Sequence, residues 1–344
     1  MSRKNRFYFI TLIFIFCILF PVYSDTFYLN NFSARVTGMG EAFTSIPYSP
    51  DILFINPAML SLIKKNCFEY NYANLFNLDI IMNSFWFTAK LKKGGIGIGY
   101  TIISSGEQPV TDVRRYTVSG GQTGEGMVFN INEEPVILGY FSESRTALYL
   151  GYGFNIYENI YTGWVVKRYA FYYEGDTIED KYINALIHTK ANCWGVDIGF
   201  FIHKIYNLFN FGIKFGDFIS TGFKWNTEFP YVQYVDKTIT AGISSDIIEN
   251  LIAGVDITYN LAQKEIEARI GAEYILLETV FIRGGYKKSN INFGTGIILS
   301  HYVMKYLLHP DDKELLKYNF NIGYTGNYNL HLGITHRFSF LLKW

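Results

Sequence analysis

The sequence predicts an all-β protein, a transmembrane antiparallel β-barrel of about 14 strands with an N-terminal hatch segment in its lumen. Three observations predict it. Segments in which apolar residues alternate with polar residues or glycine follow one another from about residue 66 to the C-terminus. Of 344 residues, 28 are Tyr, 30 are Phe and 31 are Gly, while only 17 % are charged. Mean hydropathy is +0.09, short of a helical membrane bundle, and beyond the N-terminal leader no apolar run reaches the ~20 residues of a spanning helix. A chain whose side chains point alternately to lipid and to an aqueous lumen has this balance.

Residues 1–24 read as a signal peptide. Arg3, Lys4 and Arg6 precede the apolar run 7–20, and Val22 and Ser24 suit cleavage before Asp25. A retained membrane anchor is the alternative, for which the apolar run is short. Cys17 follows the bulky Phe16 inside the run, which argues against lipid attachment. Basic and acidic residues number 30 each, so bulk charge attracts no nucleic acid. Cys67 and Cys193 remain in the mature chain, with no CxxC pair and no HExxH. Neither a metal site nor a cofactor is implied.

The alternating segments are 66–76, 81–91, 95–105, 135–142, 146–157, 190–202, 207–216, 237–245, 250–259, 265–275, 279–287, 291–300, 317–325 and 329–343. Segment 265–275 is the clearest: Ile266, Ala268, Ile270, Ala272 and Tyr274 oppose Glu265, Glu267, Arg269, Gly271 and Glu273. A soluble sandwich also alternates, but its core face is apolar, whereas here the face opposite the aromatics is polar or glycine. Long connections at 106–134, 158–189 and 217–236 alternate with short ones at 91–94, 142–145 and 203–206. With the long loops outside, the final strand runs down to the periplasm. The stretch 301–316 breaks the pattern. In the last segment Phe338, Phe340, Leu342 and Trp344 share one face. Ending on Trp344 looks like the signal read by the barrel-assembly machinery, and the aromatic face implies outer-membrane lipid as its surroundings.

Residues 25–64 do not alternate. They are too apolar for an exposed tail, and a barrel this wide needs filling, since about 8 strands are already filled by side chains alone. The domains are therefore 1–24, signal peptide; 25–64, hatch or plug; and 65–344, barrel. Here a resemblance enters. Ala34-Arg35-Val36-Thr37-Gly38-Met39-Gly40-Glu41-Ala42-Phe43, followed by Phe54-Ile55-Asn56-Pro57-Ala58-Met59-Leu60, resembles the N-terminal signature of the FadL-type outer-membrane transporters and their shorter PorV/PorQ-like relatives. Gly271-Ala272-Glu273-Tyr274, Ile282-Arg283-Gly284-Gly285-Tyr286 and Gly333-Ile334-Thr335-His336-Arg337-Phe338-Ser339 are similar to C-terminal elements of the shorter branch. One residue is inserted at Gly284-Gly285, read as a bulge. The middle, 106–236, resembles no family.

The resemblance implies uptake of hydrophobic, long-chain fatty-acid-like compounds past a hatch. The hatch residues are Arg35, Gly38, Met39, Gly40, Asn56, Pro57 and Ala58, with sideways exit at a kink in an early strand. The alternative is a barrel serving protein secretion, or a structural or surface-antigen barrel without a lipid substrate. Luminal Arg269, Arg283 and Arg337 are candidates to meet a ligand carboxylate, because arginine binds carboxylates bidentately. A turn at 276–278 would set Arg283 opposite Gly271, leaving room for a guest. An internal ladder pairing Arg283 with Glu273 and Glu267 with Lys287 is the competing expectation. The glycine-rich stretch 94–99 is either a weak strand that opens sideways or a smooth luminal wall. No enzyme is expected: His336 and Ser339 are three apart on one strand and so point to opposite faces.

Overall fold

The computed structural model describes residues 33–47, 49–112, 117–119, 128–130, 136–179, 184–206, 208–226, 231–288, 290–299, 319–330 and 332–344. Fourteen antiparallel strands close into a barrel. They are β1 (Cys67–Leu75), β2 (Ile80–Leu91), β3 (Gly94–Ser105), β4 (Val136–Tyr157), β5 (Ile160–Glu179), β6 (Asn184–Ile205), β7 (Phe209–Ser220), β8 (Thr238–Ile248), β9 (Leu251–Asn260), β10 (Glu265–Leu276), β11 (Val280–Lys287), β12 (Asn290–Leu299), β13 (Asn319–Asn329) and β14 (Gly333–Lys343). Closure comes from β1 on β14, running from Cys67 opposite Lys343 to Asn74 opposite His336. No sheet edge is left at the seam, so the backbone groups there are paired. The usual burial rule is inverted. On β10, Ile266 and Ile270 are 73 % and 54 % exposed, while Glu273 on the opposite face is 1 % exposed.

Strand number and facing follow the sequence reading, but the middle of the chain does not. Segments 135–142 and 146–157 are one strand, β4, without a turn at 142–145. The stretch 158–189 is not a loop. Glu158, in the left-handed region at φ 38°, helps turn the chain directly into β5, and β6 begins at Asn184. The two errors cancel, which is why the count of strands stands. Their cause is physical: β5 carries aromatic or apolar residues on both faces, such as Trp164 outside and Phe171 inside, so its period of two is hidden. β4 meanwhile runs through polar Ser142-Glu143-Ser144, paired with β5. In 217–236, β7 continues to Ser220, and short strands at Phe223–Trp225 and Val232–Gln233 follow. In 106–134, Gln108–Asp112 pairs with β4, and Thr117–Ser119 pairs with Val128–Asn130. The stretch 301–316 and the leader 1–24 lie outside the described residues.

Three local expectations are corrected. Arg283 faces Glu273, and Gly271 faces Gly285, a shift of two residues from the expected register. The turn extends to Thr279, with Leu277 and Glu278 at φ 51° and 57°. Gly284-Gly285 is not a bulge, because both residues stay in continuous register with β10 and β12. Finally, β3 is paired without a register shift to β2 along 94–105 and to β4 along 95–104. The glycine stretch is therefore a closed wall and not a kinked gate.

Its glycines have another use. Residues 33–47 and 49–63 lie inside the ring of strands, with α1 (Ala34–Gly38), α2 (Ile52–Ile55) and a 3-10 turn, Pro57–Leu62. Ser33 caps α1, its Oγ accepting from Val36 N at 3.3 Å. Ala34, Met39, Phe43, Ile52, Leu53, Met59 and Leu60 are fully buried. A segment this close to the wall needs wall positions without side chains. A Cβ at Gly95 would strike the Leu60 carbonyl, and one at Gly212 the Thr44 carbonyl. Gly153 and Gly163 likewise make room for the Pro57 carbonyl. Gly212→Val is expected to expel the segment from this wall, seen as faster proteolytic cleavage within 33–63 and a lower Tm. Gly284→Ala, where an added Cβ meets nothing within 4 Å, should leave both unchanged.

Candidate functional site

The N-terminal segment is held by buried polar groups of the wall. Glu273 on β10 receives Arg35 from α1, with Nη2 to Oε1 at 2.7 Å, and Arg283 from β11, with Nε to Oε2 at 2.6 Å. Asp256 on β9 accepts the backbone N–H groups of Phe43 and Thr44 at 2.9 and 2.8 Å. Glu41, itself at φ 62°, pairs with Lys287 at 2.6 Å, and Arg269 stands 4.0 Å from it. Burial pushes the Glu41 carboxyl up, but Lys287 and Arg269 outweigh that and hold it below the ordinary range. A third cluster joins Lys167, Asp197, Lys214 and Asp217. Lys167 Nζ lies 2.5 Å from Asp197 and 2.8 Å from Asp217, and Lys214 Nζ donates to the Phe54 carbonyl at 2.7 Å. Asp217 reaches this cluster because β7 bulges between Phe215 and Ile219 and Asp217 takes φ 49°.

The residues singled out in the sequence fall into two groups. Gly38, Met39 and Gly40 lie against β10–β12. Gly40, at φ 61°, takes a conformation natural to glycine and presses its backbone on Tyr286 and Ile270. Gly271 and Gly285, opposite one another, both abut Met39–Gly40. Asn56 donates from Nδ2 to the Thr44 and Phe200 carbonyls at 3.0 and 3.1 Å. Its Oδ1 accepts from Ala58 N at 3.2 Å, capping the turn that Pro57 and Ala58 begin. Among the arginines, Arg283 is engaged by Glu273, and Arg269 by Glu267 at 2.6 Å. Arg337 is buried, with Nη1 3.7 Å from Met82 Sδ. Arg283 with Glu273 is one rung of the ladder weighed against carboxylate recognition; the other expected rung is loose, Lys287 standing 3.9 Å from Glu267 and closer to Glu41, while Arg269 takes Glu267 instead. His336 and Ser339 part as their spacing requires: His336 Nδ1 meets Tyr324 Oη at 2.8 Å, while Ser339 Oγ accepts from Ala34 N at 2.6 Å. Cys67 and Cys193 are separate free thiols.

The sequence reading missed the central feature. A file of aromatic rings runs along the lumen from Phe54 toward the end where β4–β6 project. Successive centroids are 5.5 Å apart for Phe54–Tyr149, 6.3 Å for Tyr149–Tyr169 and 6.1 Å for Tyr169–Phe223. The file continues at 4.7 Å for Phe223–Phe171 and 5.7 Å for Phe171–Trp225. Trp86 flanks Tyr149 at 5.3 Å. Leu53, Leu60 and Val165 pack on the same cluster. Aromatics at luminal positions of β4 and β5 were the available signal, hidden while 158–189 read as a loop. At the opposite end, two cavities of about 260 and 210 Å³ share Arg35 and Glu273 in their walls, so this ion pair forms a partition between them.

No protein-family model matches the chain, and no curated protein matches it in sequence. Solved structures do match in shape. The toluene transporter TbuX of Ralstonia pickettii has a TM-score of 0.55 at 12 % identity, over 92 % of this chain and 98 % of that one. The toluene transporter TodX of Pseudomonas putida has a TM-score of 0.53 at 12 % identity, over 94 % and 99 %. A Pseudomonas aeruginosa FadL homologue has a TM-score of 0.53 at 9 % identity, over 91 % and 98 %. The protein is thus a closed 14-stranded β-barrel, and its fold is that of the FadL-type barrels.

Removing the shared carboxylate tests the anchoring role. Glu273→Gln leaves two guanidinium groups facing a neutral amide and is expected to cost about 3–5 kcal/mol. Glu267→Gln, at a side chain 25 % exposed, is expected to cost ~1 kcal/mol or less. Urea unfolding in lipid vesicles measures both.

Proposed function

We propose that this chain is an outer-membrane barrel for uptake of hydrophobic compounds, with residues 25–64 as a hatch across its lumen. The aromatic file carries the reading. It is a packed apolar cluster reaching from the projecting strands to α2 and Leu60, whose rings suit contact with flat or flexible apolar molecules without hydrogen bonds. Monoaromatic hydrocarbons and the chain of a fatty acid both suit such a wall. Engagement of Arg283 and Arg269 by acids of this chain favours recognition through the apolar body of the cargo.

Cargo would descend the rings as far as Phe54, Leu53 and Leu60. Further passage requires the hatch to shift, and its ties define what must give: Asn56 on Thr44 and Phe200, Lys214 on Phe54, and Arg35 on Glu273. The paired β3 wall disfavours exit there and favours the end bounded by Arg35 and Glu273.

Uptake of labelled toluene and of labelled oleate by cells carrying the protein tests the proposal. Phe223→Asp is expected to cut uptake of the preferred compound at least tenfold with the barrel still assembled. Unchanged uptake, or copurification with secretion components and no uptake of either compound, would defeat it. Separately, Arg35→Ala should merge the two cavities and raise single-barrel conductance in a planar bilayer several-fold over wild type.

A further inference from the structure

The larger of the two cavities, about 260 Å³, lies beneath the N-terminal segment at the end that carries the C-terminus. Ile275, Phe281 and Leu341 give it an apolar side, and the Arg35–Glu273–Arg283 triad closes its roof. Two other charges on its wall are not closed. Glu69 on β1 is 2 % exposed, and its Oε2 has no hydrogen-bond partner among the described residues. Lys343 on β14 lines the same cavity and makes no ion pair among the described residues. Cys67 faces Lys343 and Glu69 faces Leu341, so the two charged side chains are diagonal neighbours on one luminal face.

A carboxylate out of water needs a donor, and an ammonium group needs an acceptor. Several waters fit in this space, each needing ~10–15 Å³, so a ligand here takes the place of water beside both charges. A simple anion would satisfy Lys343 and leave Glu69 unanswered; a simple cation would do the reverse. We propose that this cavity binds a small zwitterion with an apolar side chain, an aliphatic α-amino acid being the simplest of the class. Its ammonium group rests on Glu69, its carboxylate on Lys343, and its side chain against Ile275, Phe281 and Leu341. The site is separate from the aromatic file and stands whether or not the file carries cargo.

Ligand-observed NMR on the full barrel in nanodiscs, with empty nanodiscs as blank, tests this using L-norleucine, hexanoate and hexylamine. Norleucine is expected to bind at least tenfold more tightly than either single-charge probe. Glu69→Gln and Lys343→Met are each expected to weaken it by roughly tenfold or more, the size of a lost charge-assisted hydrogen bond. Should a single variant fail to assemble, the charge swap Glu69→Lys with Lys343→Glu keeps both signs in the cavity and should retain norleucine binding. Norleucine no tighter than hexanoate, binding undiminished in an assembled Glu69→Gln barrel, or no binding of any probe would overturn the proposal.

Discussion

Everything inside this barrel follows from its width. Fourteen strands close a cylinder whose lumen their own side chains do not fill. A length of the same chain fills it and brings peptide groups into a space with little water. Each of those groups then needs a partner. The wall answers in two ways. Where backbone meets backbone it carries glycine, as at Gly271 and Gly285 against Met39–Gly40. Where unpaired N–H and C=O groups remain, it supplies buried polar side chains: Asp256 for Phe43 and Thr44, and Thr325 for the Ala34 carbonyl.

The same constraint explains the density of buried charge. A lone ion in the lumen is costly; a paired one holds its geometry, and breaking the pair is what destabilises. Glu273 serves two arginines, Glu41 serves Lys287, and Asp197 serves two lysines. Each cluster joins the N-terminal segment to the wall or braces the wall beside it. Lys214, for example, links Asp197 to the Phe54 carbonyl. Charge anchors, and one cluster meets the aromatic file itself: Lys214 Nζ lies 4.5 Å from the centre of the Phe54 ring and Lys167 Nζ 5.5 Å from that of Tyr169.

The barrel was legible because strand periodicity is a local property. Ile266 to Tyr274 alternate whatever lies beside them, and the inverted burial of β10 follows from lipid outside. The reading failed where both faces are aromatic, in β5, since alternation disappears when lumen and lipid take the same residue types. The signature around Gly38–Gly40 and Asn56–Ala58 was legible as a pattern, while its reason was not. The glycines that receive it come from β4–β7 and from β10–β12, more than ninety residues away at the nearest, Gly153 against Pro57.

By itself, the sequence determined an antiparallel closed barrel, its inward and outward faces, and a segment too apolar to stay outside it, because each follows from neighbours along the chain. The tertiary structure decided the rest. It set Arg283 against Glu273 instead of Gly271, kept β3 shut, and assembled the aromatic file from β4, β5, 223–225 and α2. It also left Glu69 and Lys343 beside one another without contact. These features depend on register and closure, and two residues of register decide whether a luminal arginine meets a glycine or an acid.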